Sequence, residues 1–388
     1  MIHKPLTLDF ETTFYNHGNP FDSRNFFVVL GVKYSGEPAT CIYFDEPDAV
    51  PRLQRLIDGA SILIGFNAKF DLHHLRKAGI NFEGKPVWDC QVGEFLLENQ
   101  KNPYPSLNQA AEKYGLGQKM DVIKLEYWDK GINTDEIPRP ILTEYLEQDL
   151  HLTEQVYLKQ REQFQTNQQG KYALFRLQCQ DLLVLEEYEA NGIKFNTKAA
   201  RLRAEELSTE LEAIHKEMVS LVGNVPFNLN SGDHVSCILY GGTITIDDRI
   251  PVGVYKTGKN IGATRYKIIK KNYELPRLCE PLKGTEVKKP EGSQPIWQTN
   301  EDVLATIKLT KHSRKLVNLI QSYTKLDKLR GTYLEGIPLL IEKMNWEPNM
   351  IHGNLNQCVA CTGRLSSTKP NLQNMPPETK VFMESRYP

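Results

Sequence analysis

Asp9 and Glu11 stand two residues apart in Asp9-Phe10-Glu11, on an apolar run that begins at Leu6. On an extended strand, residues i and i+2 share a face, so both carboxylates can converge on one ion. Two more short motifs follow. Asn67-Ala68-Lys69-Phe70-Asp71 comes straight after the strand-like run 61–66, and Tyr145-Leu146-Glu147-Gln148-Asp149 lies inside an amphipathic helix. Tyr145 and Asp149 are four apart and stack on one helix face, while Glu147 faces away. Asp9, Glu11, Asp71 and Asp149 with the phenol of Tyr145 offer enough oxygen to hold two divalent hard cations against a phosphate, as in-line phosphodiester hydrolysis needs. No His or Cys sits among them, so the expected ions are Mg2+ or Mn2+. Tyr145 beside Asp149 can orient the attacking water, and Asn67 supplies a neutral amide for the substrate. Each pattern alone recurs freely; together, on suitable elements and in this order, they are far more specific. Asp89 precedes an apolar-periodic run and reads as a helix N-cap rather than a catalytic carboxylate.

At 388 residues the chain has room for two to three domains. No apolar run approaches the ~18 residues of a membrane span. The N-terminus goes directly into a strand without a secretory signal, which points to a cytoplasmic protein. Seven scattered cysteines, an odd number, fit a reducing interior. The lone Cys358/Cys361 pair lacks the further ligands of a zinc site and reads as incidental thiols. The net charge of -1 does not announce nucleic acid, but the basic residues are unevenly placed. Lys256–Lys289 holds ten Lys/Arg against three Glu, and Lys308–Arg330 seven against Asp327 alone. Either stretch could face a phosphate backbone or be a solvated basic face.

Residues 1–165 read as α/β. Strands are expected at Leu6–Asp9, Phe26–Tyr34, Thr40–Phe44 and Ile62–Phe66, and helices at Asp48–Asp58, Leu72–Ala78, Asp89–Glu98, Leu107–Tyr114 and Ile141–Gln163. A polar linker at Gln165–Gly170 leads into helical residues 171–240, whose two long helices suggest an antiparallel hairpin. Residues 241–295 read as a β-rich insertion or extended arm. Helices return within 296–349, at Asn300–Lys311 and Arg314–Glu335, and 350–388 is strand-and-loop in character.

The three carboxylate motifs resemble those of the DEDDy 3′–5′ exonucleases, the proofreading domain of family A DNA polymerases. At the other end, the run from Thr362-Gly363-Arg364-Leu365-Ser366-Ser367 through Pro370-Asn371-Leu372-Gln373-Asn374-Met375-Pro376 resembles the entrance to the palm of that family. Lys325–Leu334 resembles the thumb segment that grips duplex DNA, Phe227–Ser231 the thumb's FNxxS element, and Glu187–Ile193 the end of the first thumb helix. The resemblance covers the chain except 241–295 and is nearest to polymerases encoded by bacteriophages. It implies a ribonuclease H-like exonuclease domain (1–165), a thumb in two parts (171–240 and 296–349) around the insertion, and the first strands of a palm (350–388). It also implies two ions at Asp9, Glu11, Asp71 and Asp149. DNA contacts are expected from Asn67, Lys325, Lys328, Arg330, Arg364, Ser366, Ser367, Asn371, Gln373 and Asn374.

One departure matters. No Asp follows Asp327, so the palm carboxylates that hold the polymerase ions, and the fingers, are missing. The expectation is therefore a proofreading and DNA-gripping portion of a split or truncated polymerase. It would be completed by a second polypeptide with palm and fingers, and a processivity factor is a further possible partner. An autonomous exonuclease and a non-catalytic DNA-binding scaffold are the alternatives.

Overall fold

The computed structural model describes residues 4–117, 122–166 and 168–387. Its contacts divide the chain into two compact units, Met1–Thr197 with Ile337–Pro388, and Lys198–Gly336.

The first unit is built on a mixed five-stranded sheet. Its strands are β1 (Pro5–Thr12), β2 (Phe27–Tyr34), β3 (Thr40–Tyr43), then, after helix α1 (Ala49–Gly59), β4 (Ile62–Gly65) and, after α2 (Ala68–Lys77), β5 (Val87–Asp89). The spatial order is β3-β2-β1-β4-β5, antiparallel from β3 to β1 and parallel from β1 to β5. The period-two pattern of β1 sends Leu6, Leu8 and Phe10 into a core shared with Leu53, Ile57, Leu72 and Leu75, and leaves Asp9 and Glu11 for the opposite face. Each such buried side chain contributes roughly 1.5–3 kcal/mol. On that opposite face a second core gathers Val29, Tyr43, Leu142, Leu146 and Leu150.

Helices α3 (Cys90–Leu97), α4 (Leu107–Lys113) and α5 (Val122–Glu126) precede the long α6 (Arg139–Thr166). Helix α7 (Gln169–Asn191) follows after a short break within the polar stretch, and β6 (Ile193–Phe195) comes next. Phe164 of α6, Phe175 of α7 and Trp88 of β5 pack together, so α7 is part of the sheet's own core. The division between units falls at Thr197, beyond the Gln-rich stretch.

Several local boundaries differ from the sequence expectation, two of them for a definite reason. Helix α2 begins at Ala68, four residues before Leu72, because Asn67 adopts a left-handed φ of 63° that ends the strand and opens the helix. The helix expected over Asn300–Lys311 is two helices. Asn300 caps one and Thr310 caps the other, each accepting a backbone N–H with its side-chain oxygen.

The second unit contains most of α8 (Thr197–Val222), α9 (Gly232–Tyr240), the hairpin β7 (Gly242–Val254) and β8 (Thr264–Leu275), α10 (Glu301–Thr306) and α11 (Lys311–Lys328). A π-helical turn, Leu329–Glu335, continues α11. The two long helices α7 and α8 thus fall in different units. The unit has its own core, where Met218, Val235, Leu239, Ile244, Leu275 and Ile320 meet.

Helix α12 (Gly336–Lys343) returns the chain to the first unit, followed by β9 (Met350–Ile351), β10 (Asn354–Asn356), β11 (Ser366–Thr368) and β12 (Met383–Glu384). These form two small sheets, β10-β11 and β12-β6-β9. Among the described residues, no helix is long and apolar enough to cross a membrane.

Candidate active site

Asp9 pairs in register with Gly31 of β2. A Cβ on Gly31 would lie 2.7 Å from Cγ of Leu146 and 2.8 Å from Cδ1 of Leu150. The missing side chain lets α6 settle directly on the sheet beside Asp9, and Tyr145 and Asp149 precede those two leucines by one residue each. Both are buried, at 6% and 3% exposure, and Glu147 is exposed on the outer face. Tyr145 shares a hydrogen bond with Asp149, and its pKa is raised, first by burial and then by the charges of Glu11, Asp149 and Asp9. Tyr145 is therefore a neutral phenol, a hydrogen-bond donor rather than a base.

Asp71 arrives from the first turn of α2. Its Oδ1 accepts the N–H of Phe10, the amide between Asp9 and Glu11, at 2.9 Å. It is fully enclosed, and its pKa stands well above the ordinary carboxylate value. Burial is the first cause and the charge of Asp9 the next, with Asp89 a smaller one. Asp89 caps α3 through the Val92 N–H at 2.9 Å and also takes the Ala68 N–H at 2.7 Å. Burial pushes Asp89 up to about 6 even against those hydrogen bonds.

Asp9 is thus felt by Asp71 on one side and Tyr145 on the other, and three separate elements bring the five sequence-predicted groups to one end of β1. Among the described residues no three His, Cys, Asp or Glu already converge as an ion's ligands would. The donor set nevertheless suits divalent ions: hard oxygens only, partly or fully desolvated, with the Asp71 carboxyl raised first by burial and then by the charge of Asp9, a repulsion that a cation relieves.

Asn67 is exposed and lines a cavity of about 250 Å³ with Phe21, Lys69, His73, Tyr104 and Asn354; the four carboxylates do not line it. Sequence reasoning missed the polar framework here. Lys69 Nζ reaches Glu189 Oε1 at 2.6 Å and the Leu355 carbonyl at 2.6 Å. His73 lies between Glu189 at 2.9 Å and Glu186 at 3.1 Å. Arg76 makes a two-pronged contact with Glu186, which together with His73 lowers the Glu186 pKa despite burial. The available signal was the basic stripe of Lys69, His73 and Arg76 at helical spacing, a face that needed anions.

The expected DNA contacts differ in character. In the first unit, Arg364, Asn371, Gln373 and Asn374 are exposed and Ser366 half-buried. Ser367 is turned inward instead: its Oγ donates to the Pro370 carbonyl at 3.3 Å and accepts the Leu372 N–H at 3.0 Å, fixing the turn. In the second unit, Lys325 and Lys328 are exposed. Arg330 is engaged locally, with Asp327 at 2.9 Å and Ser208 at 3.3 Å.

Comparison with known proteins relates the chain to one family. Residues 275–387 match the model of DNA polymerase family A. The chain is therefore similar to family A DNA polymerases, by family model over that segment and by sequence over more of its length. It is 26% identical over 338 residues to DNA polymerase I of Borreliella burgdorferi, covering 86% of this chain and 31% of that protein. It is 26% identical over 360 residues to DNA polymerase I of Pseudomonas aeruginosa, covering 91% of this chain and 33% of that one. The thermostable DNA polymerase I of Thermus filiformis is 30% identical over 207 residues, 52% of this chain and 19% of the relative. The chain thus spans about a third or less of the curated relatives it matches. Among solved structures, the POL domain of Pol1 from M. smegmatis, in complex with DNA primer-template and dNTP, shares the fold. The TM-score is 0.63 at 15% identity, over 98% of this chain and 54% of that one.

Proposed function

We propose that the first unit carries a ribonuclease H-like 3′–5′ exonuclease of the DEDDy type, and that the chain is the proofreading and DNA-gripping portion of a family A replicative polymerase of bacteriophage type. It would act in the cytoplasm of the host cell. The observation that supports this most is the crowding at the end of β1, where Asp71 takes the Phe10 N–H at 2.9 Å and where burial first, and then the charges of Asp9 on Asp71 and of Glu11, Asp149 and Asp9 on Tyr145, raise both pKa values. Two Mg2+ or Mn2+ ions held by Asp9, Glu11, Asp71 and Asp149 would offset the charge of a phosphodiester and lower the pKa of the attacking water. Tyr145, held neutral with its O–H given to Asp149, would present its phenol oxygen as an acceptor that aims that water in line with the departing 3′ nucleotide. Asp71 stays fixed through Phe10, so the strand and α2 keep one geometry. Asn67, beside the cavity, offers its amide to the strand end.

Lys325 and Lys328 in the second unit, and Arg364, Ser366, Asn371, Gln373 and Asn374 in the first, are assigned to primer-template DNA. Arg330 and Ser367 shape those surfaces. Nucleotide addition needs carboxylates absent beyond Asp327, so further chain, in the same or a second polypeptide, would supply palm and fingers. A processivity factor remains an additional proposed partner.

The test uses the purified chain with 5′-labelled single-stranded DNA and Mg2+. Stepwise shortening from the 3′ end, release of 5′-monophosphates and arrest by chelation are expected. Asp9→Ala should lose on the order of 10³-fold or more in rate. Near-normal shortening by Asp9→Ala would end the assignment.

A further inference from the structure

The β7–β8 hairpin is the most exposed regular element of the second unit. Its pairing runs from Gly242↔Leu275 out to Val254↔Thr264, with a bulge between Pro251 and Gly253. Only the base is anchored: Ile244 and Leu275 are 1% and 8% exposed and belong to the unit's core. Beyond Ile246 both faces of the ribbon are open along most of its length. Strands of 13 and 12 residues reach roughly 40 Å. A two-stranded ribbon is marginal by itself in water, so one this long and this open calls for a surface to lie on.

Its charge says which surface. From Arg249 to Lys271 there are seven Lys/Arg and not one Asp or Glu. The basic residues are Arg249, Lys256, Lys259, Arg265, Lys267, Lys270 and Lys271. Acids stand only toward the base. Asp248 takes Lys271 at 2.6 Å, and Asp247 is the cross-strand partner of Lys270. Among the described residues the other five have no carboxylate within ion-pair distance. Alternation puts Arg265 and Lys267 on one face, about 6.8 Å apart, which equals two 3.4 Å steps along one DNA strand. Lys256 and Lys259 continue the charge around the tip. Tyr255 and Tyr266, 40% and 51% exposed, sit among them and can pack on sugars or bases. Two strands side by side also fit within a major groove about 12 Å wide.

We infer that the β7–β8 ribbon is a DNA-binding arm that lies along the phosphate backbone of a duplex. This rests on the reading that the chain works on DNA, and it adds a contact surface to that reading. The arm grips without reading sequence, and its strength depends on counterion release.

The experiment measures binding of a 30-base-pair duplex to the full chain by fluorescence anisotropy over a salt series. The variant changes Lys256, Lys259, Arg265 and Lys267 to Gln; a second variant replaces residues 256–262 by a two-residue Asn-Gly turn. For the fourfold variant, the slope of log affinity against log salt should fall by about three to four, and affinity at low salt by at least tenfold, as loss of four phosphate contacts implies. The tip variant should lose a smaller part of both. Thermal melting should be unchanged in each, because the altered residues lie outside the unit's core. An unchanged salt slope in folded variants overturns the proposal. So does a loss of affinity with no change of slope, which would mark an apolar contact. Cleavage of a short single-stranded oligonucleotide, read in parallel, should match the parent chain. Absence of that cleavage in the parent refutes the nuclease reading, while the salt slope still decides the arm.

Discussion

Gly31 faces Asp9 across the β1–β2 ladder, and the room it leaves is filled by Leu146 and Leu150. A glycine in a strand usually weakens it, but here its bareness sets how near α6 can come. Gly31→Ala should cost about 1–3 kcal/mol through overpacking and should lower nuclease activity at temperatures where the protein is still folded. Adding Leu146→Ala should make the pair less destabilised than the sum of the two single changes, by a non-additivity of roughly 0.5–3 kcal/mol. Denaturant melts of the four proteins check this; strict additivity would show that α6 is not seated by this contact.

Tyr145 and Asp149 share one helix face but have different jobs. Tyr145→Phe removes a hydroxyl and leaves every carboxylate in place, so the turnover rate should fall on the order of 10–10²-fold with the Mn2+ concentration for half-activity unchanged. Asp149→Ala should lose more and should shift that concentration upward. Equal losses, or a fully active Tyr145→Phe, would remove the water-orienting role.

Acid sensitivity should trace to Asp22. Its burial alone would raise the pKa, but hydrogen bonds from Arg24, Asn345 and Asn16 outweigh that and hold it at about 2. A folded pKa below the unfolded value means stability that is present above about pH 4 and lost as pH falls toward 2. Asp22→Asn should therefore destabilise by roughly 1–3 kcal/mol at pH 7 and by progressively less below pH 4. Chemical denaturation at pH 7, 4 and 2.5 reads the difference; a constant gap would acquit the charge.

The basic residues of the second unit should separate under salt titration. Lys325→Ala and Lys328→Ala should each reduce the salt slope of duplex binding by about one. Arg330→Ala should instead lower the melting temperature, since Asp327 and Ser208 each lose one of their partners, with little effect on slope. A slope unaffected by either lysine would mean a merely solvated face.

The carboxylate site was readable because its geometry is local. Period two on β1 and a four-residue step on α6 place Asp9, Glu11, Tyr145 and Asp149 before any tertiary contact is known. Asp89 as a helix cap was readable for the same reason. Strand β5 was not, since three residues give no period. The early start of α2 was hidden in the left-handed φ of Asn67. Nor could a linear reading show that Glu186, Glu189 and Leu355 close around α2, because those contacts span more than a hundred residues.

That closure bears on how the nuclease could be separated from the rest. The Gln-rich stretch near residue 167 looks like the natural place to cut. A fragment ending there would strip Lys69, His73 and Arg76 of the anions they hold, and would expose the core face where Phe175 meets Trp88. Baring apolar core surface of this kind costs several kcal/mol, on the scale of a domain's entire stability. Gene-level shuffling of this nuclease onto another scaffold would have to carry α7 and the strand at Leu355 along with it. The smallest transferable piece is therefore discontinuous in the chain.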